Sequence, residues 1–131
     1  MKEEETILDD YAFLVSETDE KGIIRFANRD FCNIAEYNLE ELIGKPHNIV
    51  RHKDMPKAAF EELWKTVKSG KPWKGFVKNA TKSGDYYWVF ATVYPFESCD
   101  GTRGYLSCRK RATPEEIKKA EILYEKWNKE N

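Results

Sequence analysis

At 131 residues, with 40% hydrophobic, 14% aromatic and 34% charged side chains, the chain has the make-up of one folded domain with a well-solvated surface, which excludes a disordered polymer. Its 22 basic and 23 acidic residues give a formal net charge of -1, so the positive excess that non-specific nucleic-acid binding draws on is missing and no nucleic-acid partner is expected. No apolar run approaches the roughly 20 residues that cross a bilayer and the start lacks a signal-peptide pattern, so the expectation is a cytoplasmic protein without direct membrane insertion.

Taken in chain order, residues 1–10 read as a flexible, acidic leader, with Lys2 to Glu5 a solvated end and order beginning near Tyr11. Ala12 to Ser16 and Ile23 to Ala27 are apolar, β-branched or aromatic runs around the turn Asp19-Glu20-Lys21-Gly22, which predicts a hairpin. Asn28 can cap a short helix carrying Phe31, Ile34 and Ala35. Asn38 with Glu41 three residues on, closed by Gly44, predicts a second short helix. From Pro56 to Lys68 the residues Ala59, Phe60, Leu63, Trp64 and Val67 recur at helical spacing, and Gly70 ends the helix.

Three strands follow, Trp73 to Asn79, Tyr86 to Phe96 and Arg103 to Arg111, separated by turn chemistry at 81–85 and 98–101. Thr113-Pro114-Glu115-Glu116 combines a cap, a proline at the first helical position and a glutamate at the third, opening a helix to about Asn128. Its band of Ile117, Ala120, Ile122, Leu123, Tyr124 and Trp127 must be covered. The first expectation is packing on the outside of its own sheet, and a homodimer or partner contact is the alternative. The fold class expected is therefore α+β, a five-stranded antiparallel sheet with short helices on one face and a C-terminal amphipathic helix. Cys32, Cys99 and Cys108 are widely spaced and include no C-x-x-C pair, so reduced thiols are expected and no metal site.

The run Gly44-Lys45-Pro46-His47-Asn48-Ile49-Val50-Arg51-His52-Lys53-Asp54-Met55-Pro56, continued by Leu63-Trp64, Gly70-Lys71-Pro72-Trp73, Val77-Lys78-Asn79 and Gly84-Asp85-Tyr86-Tyr87-Trp88-Val89, closely resembles the PAS sensor domain of bacterial aerotaxis transducers. The resemblance spans residues 7 to 127 and implies a PAS domain over 11–112 followed by the helix 113–131. It also implies non-covalent binding of FAD, sensing of redox state, and relay to a chemotaxis-receptor type of signalling protein or an attached signalling domain.

Carried over to matching positions, the flavin-associated residues are Arg51, His52, Asp54, Trp64 and Asn79, with Trp73 close by. An amide such as Asn79 suits the flavin's carbonyl and N–H edge, and Arg51 suits phosphate, with His52 adding charge. Asp54 would repel phosphate, so its task would be helix capping or ribose. Trp64 would flank a ring or pack in the core, and Val77, Val89 and Ala91 would supply a smooth wall. Light-sensing relatives place a reactive cysteine where His47 stands, so a cysteinyl photoadduct is not expected. A relay of reduction through Asn79 and the last strand, near Ser107 and Arg109, is the expected mechanism. No catalytic set is evident, so the chain is not read as an enzyme. Haem on His47 or His52, or a cofactor-free dimerisation module, are the alternatives.

Overall fold

The computed structural model describes residues 3–130. Five strands, β1 (Phe13–Asp19), β2 (Ile24–Ala27), β3 (Trp73–Ala80), β4 (Tyr86–Glu97) and β5 (Arg103–Arg111), form one antiparallel sheet in the order β2-β1-β5-β4-β3. Between β2 and β3 lie α1 (Arg29–Ala35), α2 (Leu39–Leu42), a 3-10 turn at His47–Val50 and α3 (Lys57–Lys68), and α4 (Pro114–Glu130) closes the chain. The expected fold class is the one found.

Local chemistry accounts for the joins. The Asn28 side chain accepts from Phe31 N–H at the start of α1 and from Val15 N–H, and it donates to the Phe13 carbonyl, so one amide caps a helix and pins it to β1. Asn38 N–H donates to Glu41 in the capping box of α2. Thr113 and Glu116 exchange the reciprocal pair of bonds that starts α4. Glu36 ends α1 in the left-handed region at φ 68°, and its carboxylate accepts from the Ser83 N–H and hydroxyl, tying α1 to the β3–β4 turn.

Because side chains alternate along a strand, cross-strand partners share a face. Asn79 pairs with Tyr87, Val77 with Val89 and Gly75 with Ala91, while Ala91 pairs with Arg109, Val93 with Ser107, and Ser107 with Ser16. This face meets the short helices, and it carries the fully buried Leu14, Tyr87 and Val89. On it Trp73 lies across Gly75, where a Cβ would sit 2.5 Å from the indole.

The opposite face receives α4. The Tyr124 ring stacks on Trp88 at 6.2 Å between centroids, and its hydroxyl donates to the Phe76 carbonyl at 2.5 Å. Ala120 and Tyr124 are buried there, whereas Ile122 and Leu123 stay exposed, so the helix packs on its own sheet through only part of its apolar band.

The leader departs from the flexible end expected over 1–10. Thr6 N–H donates to the Tyr86 carbonyl and Tyr86 N–H to that of Glu4, with a parallel bridge at Glu5. β5 pairs with β4 only from Val89 onward, so Tyr86 would otherwise present an unpaired backbone edge. Leu8, 4% exposed, anchors this strap. Residues 1 and 2 lie outside the described residues.

Candidate functional site

A cavity of about 230 Å³ opens between the inner sheet face, the 46–51 loop and α3. Val77 and Asn79 from β3, Val93 from β4, and Tyr105, Ser107 and Arg109 from β5 form its floor. Phe60, Leu63 and Trp64 of α3 form an apolar wall, with Lys21 and Gly22 at the β1–β2 turn. Trp64 meets Tyr105 edge to face at 5.4 Å. The space is thus an aromatic and aliphatic slot with one polar end.

That polar end is a connected set. With its nitrogen toward the Val50 carbonyl at 3.1 Å and its oxygen toward the Arg109 guanidinium at 2.7 Å, the Asn79 amide satisfies both neighbours. Arg109, 6% exposed, also donates from Nε to the Ser107 hydroxyl at 2.8 Å. Burial holds its pKa below the usual guanidinium value. Beside it the His47 ring lies 2.9 Å from the Ser16 hydroxyl through Nε2 and edge-on to Phe31. Burial, then the charges of Arg109 and Arg51, push His47 down to about 3, so its imidazole is neutral. Among the described residues Lys21, Arg51 and Arg109 line the cavity and no Asp or Glu does. A buried cation with neutral partners makes this end favourable for an electron-rich or anionic group.

Of the six residues expected at a cofactor, three line the cavity: Arg51, Trp64 and Asn79. Arg51 is placed by backbone pairing with Asn79, and its guanidinium lies 3.7 Å from the centre of the Phe60 ring. The other three form no part of the wall. His52 is buried against Tyr86, with Nε2 at 2.9 Å from the Glu3 carboxylate, and its Nδ1 accepts from Asp54 N–H at 3.0 Å. Asp54 accepts from Lys78 Nζ at 2.9 Å, a bond that holds its carboxyl below the usual range. Trp73 donates to Glu62 at 2.9 Å and so fastens β3 to α3. These three shape the loop and strand that present Arg51 and Asn79. Of the expected wall residues Val77 is present, while Val89 and Ala91 are buried on the same face outside the cavity.

The sequence reading gave Ser107 and Arg109 a part only in relaying reduction and His47 a part only in the haem alternative, and it did not assign Phe60 or Tyr105 to the site. Their signal was alternation on β5, which places residues 105, 107 and 109 on one face, but only the pairing register shows that this face is the inner one.

A family model described as PAS fold matches residues 24–108. The chain belongs to the PAS family. It is 48% identical over 126 residues, 96% of its length, to the aerotaxis receptor of Escherichia coli strain K12, of which it covers 25%. It is 27% identical over 90 residues to a nitrogen fixation regulatory protein of Klebsiella pneumoniae, covering 69% of this PAS chain and 18% of that protein. Over 86 residues it is 28% identical to the biofilm dispersion protein BdlA of Pseudomonas aeruginosa, covering 65% of this chain and 21% of BdlA. The PAS chain therefore spans a quarter or less of these relatives.

Among solved structures, a PAS domain from Colwellia psychrerythraea superposes with a TM-score of 0.69 at 23% identity, covering 79% of this chain and 90% of that one. A blue-light activated histidine kinase of Erythrobacter litoralis superposes at 0.69 with 18% identity, covering 87% and 39%. At these identities the structures show the shared fold. Among the described residues no helix is long and apolar enough to cross a membrane, and no cluster of His, Cys, Asp or Glu is placed to hold a metal.

Proposed function

We propose that this PAS domain holds a flavin, as FAD, and reports its redox state to a signalling partner of the chemotaxis-receptor type or to an attached signalling domain. The observation that carries the reading is the buried Asn79–Arg109 pair at the end of an apolar slot. A flavin ring needs flat apolar walls, and Phe60, Leu63, Trp64, Val77 and Val93 supply them. Its pyrimidine edge needs a donor and an acceptor, for which Asn79 has one N–H and one lone pair left after Val50 and Arg109 are served. The cavity is on the scale of the ring, and the phosphates would lie at its mouth against Arg51 and Lys21. The similarity to an aerotaxis receptor supports the same reading.

The chemistry a bound flavin supplies is reversible electron uptake. The chain's own part is to hold that charge change in a water-poor site. Arg109 stabilises added negative charge, neutral His47 keeps Ser16 engaged, and Asn79 transmits any rearrangement to the backbone it shares with Arg51. No reaction on a second substrate is assigned. Haem is less well served, because His52 lies outside the cavity and His47 Nε2 is engaged by Ser16.

The test is an absorption spectrum of the purified protein, with dithionite added and the pigment then released by heat. The two-band spectrum of oxidised flavin, bleaching on reduction and yielding FAD, is the expected result. A Soret band would replace flavin by haem, and a colourless protein that refuses added FAD would leave a dimerisation module.

A further inference from the structure

The outer face of the sheet, turned away from the slot described above, carries a second cavity. About 360 Å³ in volume, it lies between α4 and two cross-strand partners, Lys78 of β3 and Trp88 of β4. Met55 and Tyr124 add apolar lining, and all four side chains are buried, Trp88 to 4% exposure and Lys78 to 9%. Among the described residues the Trp88 indole N–H has no hydrogen-bond partner. An indole nitrogen can only donate, and burying it unbonded carries a cost that a phenylalanine stacked on Tyr124 would not incur. Lys78 stands beside it with three N–H donors, of which Asp54 takes one at 2.9 Å. The buried end of the cavity therefore presents donors, and a ligand there needs an acceptor. At the rim the carboxylates of Asp54, Glu121 and Glu125 outnumber the ammonium groups of Lys78 and Lys129. Asp54 is engaged by Lys78 and Glu125 by Lys129, whereas Glu121 has no ion pair among the described residues. A plain anion meets that negative excess, and a plain cation leaves the buried donors unserved.

We propose that this cavity is a second ligand site, for a small zwitterion with an apolar body, of the class of an apolar α-amino acid. Its carboxylate accepts from the Trp88 indole and from Lys78, its ammonium sits against Glu121, and its body lies on Met55 and Tyr124. The sheet supplies the donors while α4 supplies Tyr124 and Glu121, so the ligand bridges the two and tightens the helix on the sheet. The site is independent of the flavin reading above.

The test follows the Trp88 indole N–H resonance in a nitrogen–proton correlation spectrum, identified by its loss in Trp88→Phe, with L-leucine as the probe. A saturable shift of that resonance is expected, together with slower amide exchange across α4. N-acetyl-leucine, which lacks the ammonium, and leucinamide, which lacks the carboxylate, should each bind about tenfold more weakly, because each leaves one set of groups unpaired. Glu121 is exposed, so Glu121→Gln should leave the melting temperature in place and still weaken leucine binding about tenfold. A resonance unmoved by leucine up to about 10 mM would overturn the proposal. Equal shifts with leucine and leucinamide would overturn it as well, as would wild-type affinity for leucine in the Glu121→Gln protein.

Discussion

Burial first, and then the charges of the Arg109 and Arg51 guanidinium groups, push His47 down to about 3. In the unfolded chain it titrates near about 6.5. Between those values the unfolded chain takes a proton that the folded chain refuses, so stability present above about pH 6.5 is lost as pH falls toward 3. At about 1.4 kcal/mol per unit, reduced for the ring's partial exposure, the loss between pH 7 and pH 4 is about 2 kcal/mol. His47→Gln should shrink the pH 7 to pH 4 stability difference, read by urea denaturation, by that amount. An unchanged difference would mean that the folded protein accepts a proton at His47. Arg109 offers the complementary redox test. Arg109→Gln removes the cavity end's buried cation, so the midpoint potential of the flavin-loaded protein should fall by about 60 mV, a tenfold preference for one electron being about 59 mV. A potential that stays in place or rises would remove Arg109 from the proposed charge balance.

At the level of elements, α4 is held by one aromatic residue more than by its length. Tyr124 is 7% exposed, stacked on Trp88 and bonded to Phe76. Tyr124→Phe should cost about 1 kcal/mol for the lost bond, and Tyr124→Ala about 3 kcal/mol with faster amide exchange across 114–130. Equal protection of that helix in the alanine variant would show that other contacts hold it. β1 and β5 meet with no room to spare at Gly104, where a Cβ would lie 2.1 Å from the Thr18 carbonyl oxygen. Gly104→Ala should therefore destabilise by about 2–3 kcal/mol, seen as a lower urea midpoint at an unchanged slope. The elements themselves were legible in the sequence because their signals are local: the capping boxes at Asn38 and Thr113, the turn residues at 81–85 and 98–101, and helical spacing from Ala59 to Val67. The strap over residues 4–8 was not legible, since its pairing to Tyr86 depends on an edge that β5 leaves open more than 80 positions away.

For the whole molecule, the site was half legible. Arg51, Trp64 and Asn79, expected from the motif, line the cavity. His52, Asp54 and Trp73 share that motif yet serve as braces, because a motif specifies a loop's construction as well as its contacts. Ser107 and Arg109 arrive from the far end of the chain, and only the register of β5 between β1 and β4 brings them beside Asn79.

The strap and α4 approach each other beneath the same tryptophan: Glu5 and Leu8 share a small cavity with Trp88 and Ile117. Both segments therefore reach the domain on one side, while the sheet's other strands are anchored by long ladders. Under tension applied at residues 3 and 130, the strap, held to Tyr86 by two backbone bonds, would peel away before the sheet sheared. The fold then behaves as a mechanical fuse, yielding first at the edge of β4, one residue from the buried Tyr87 on the inner sheet face.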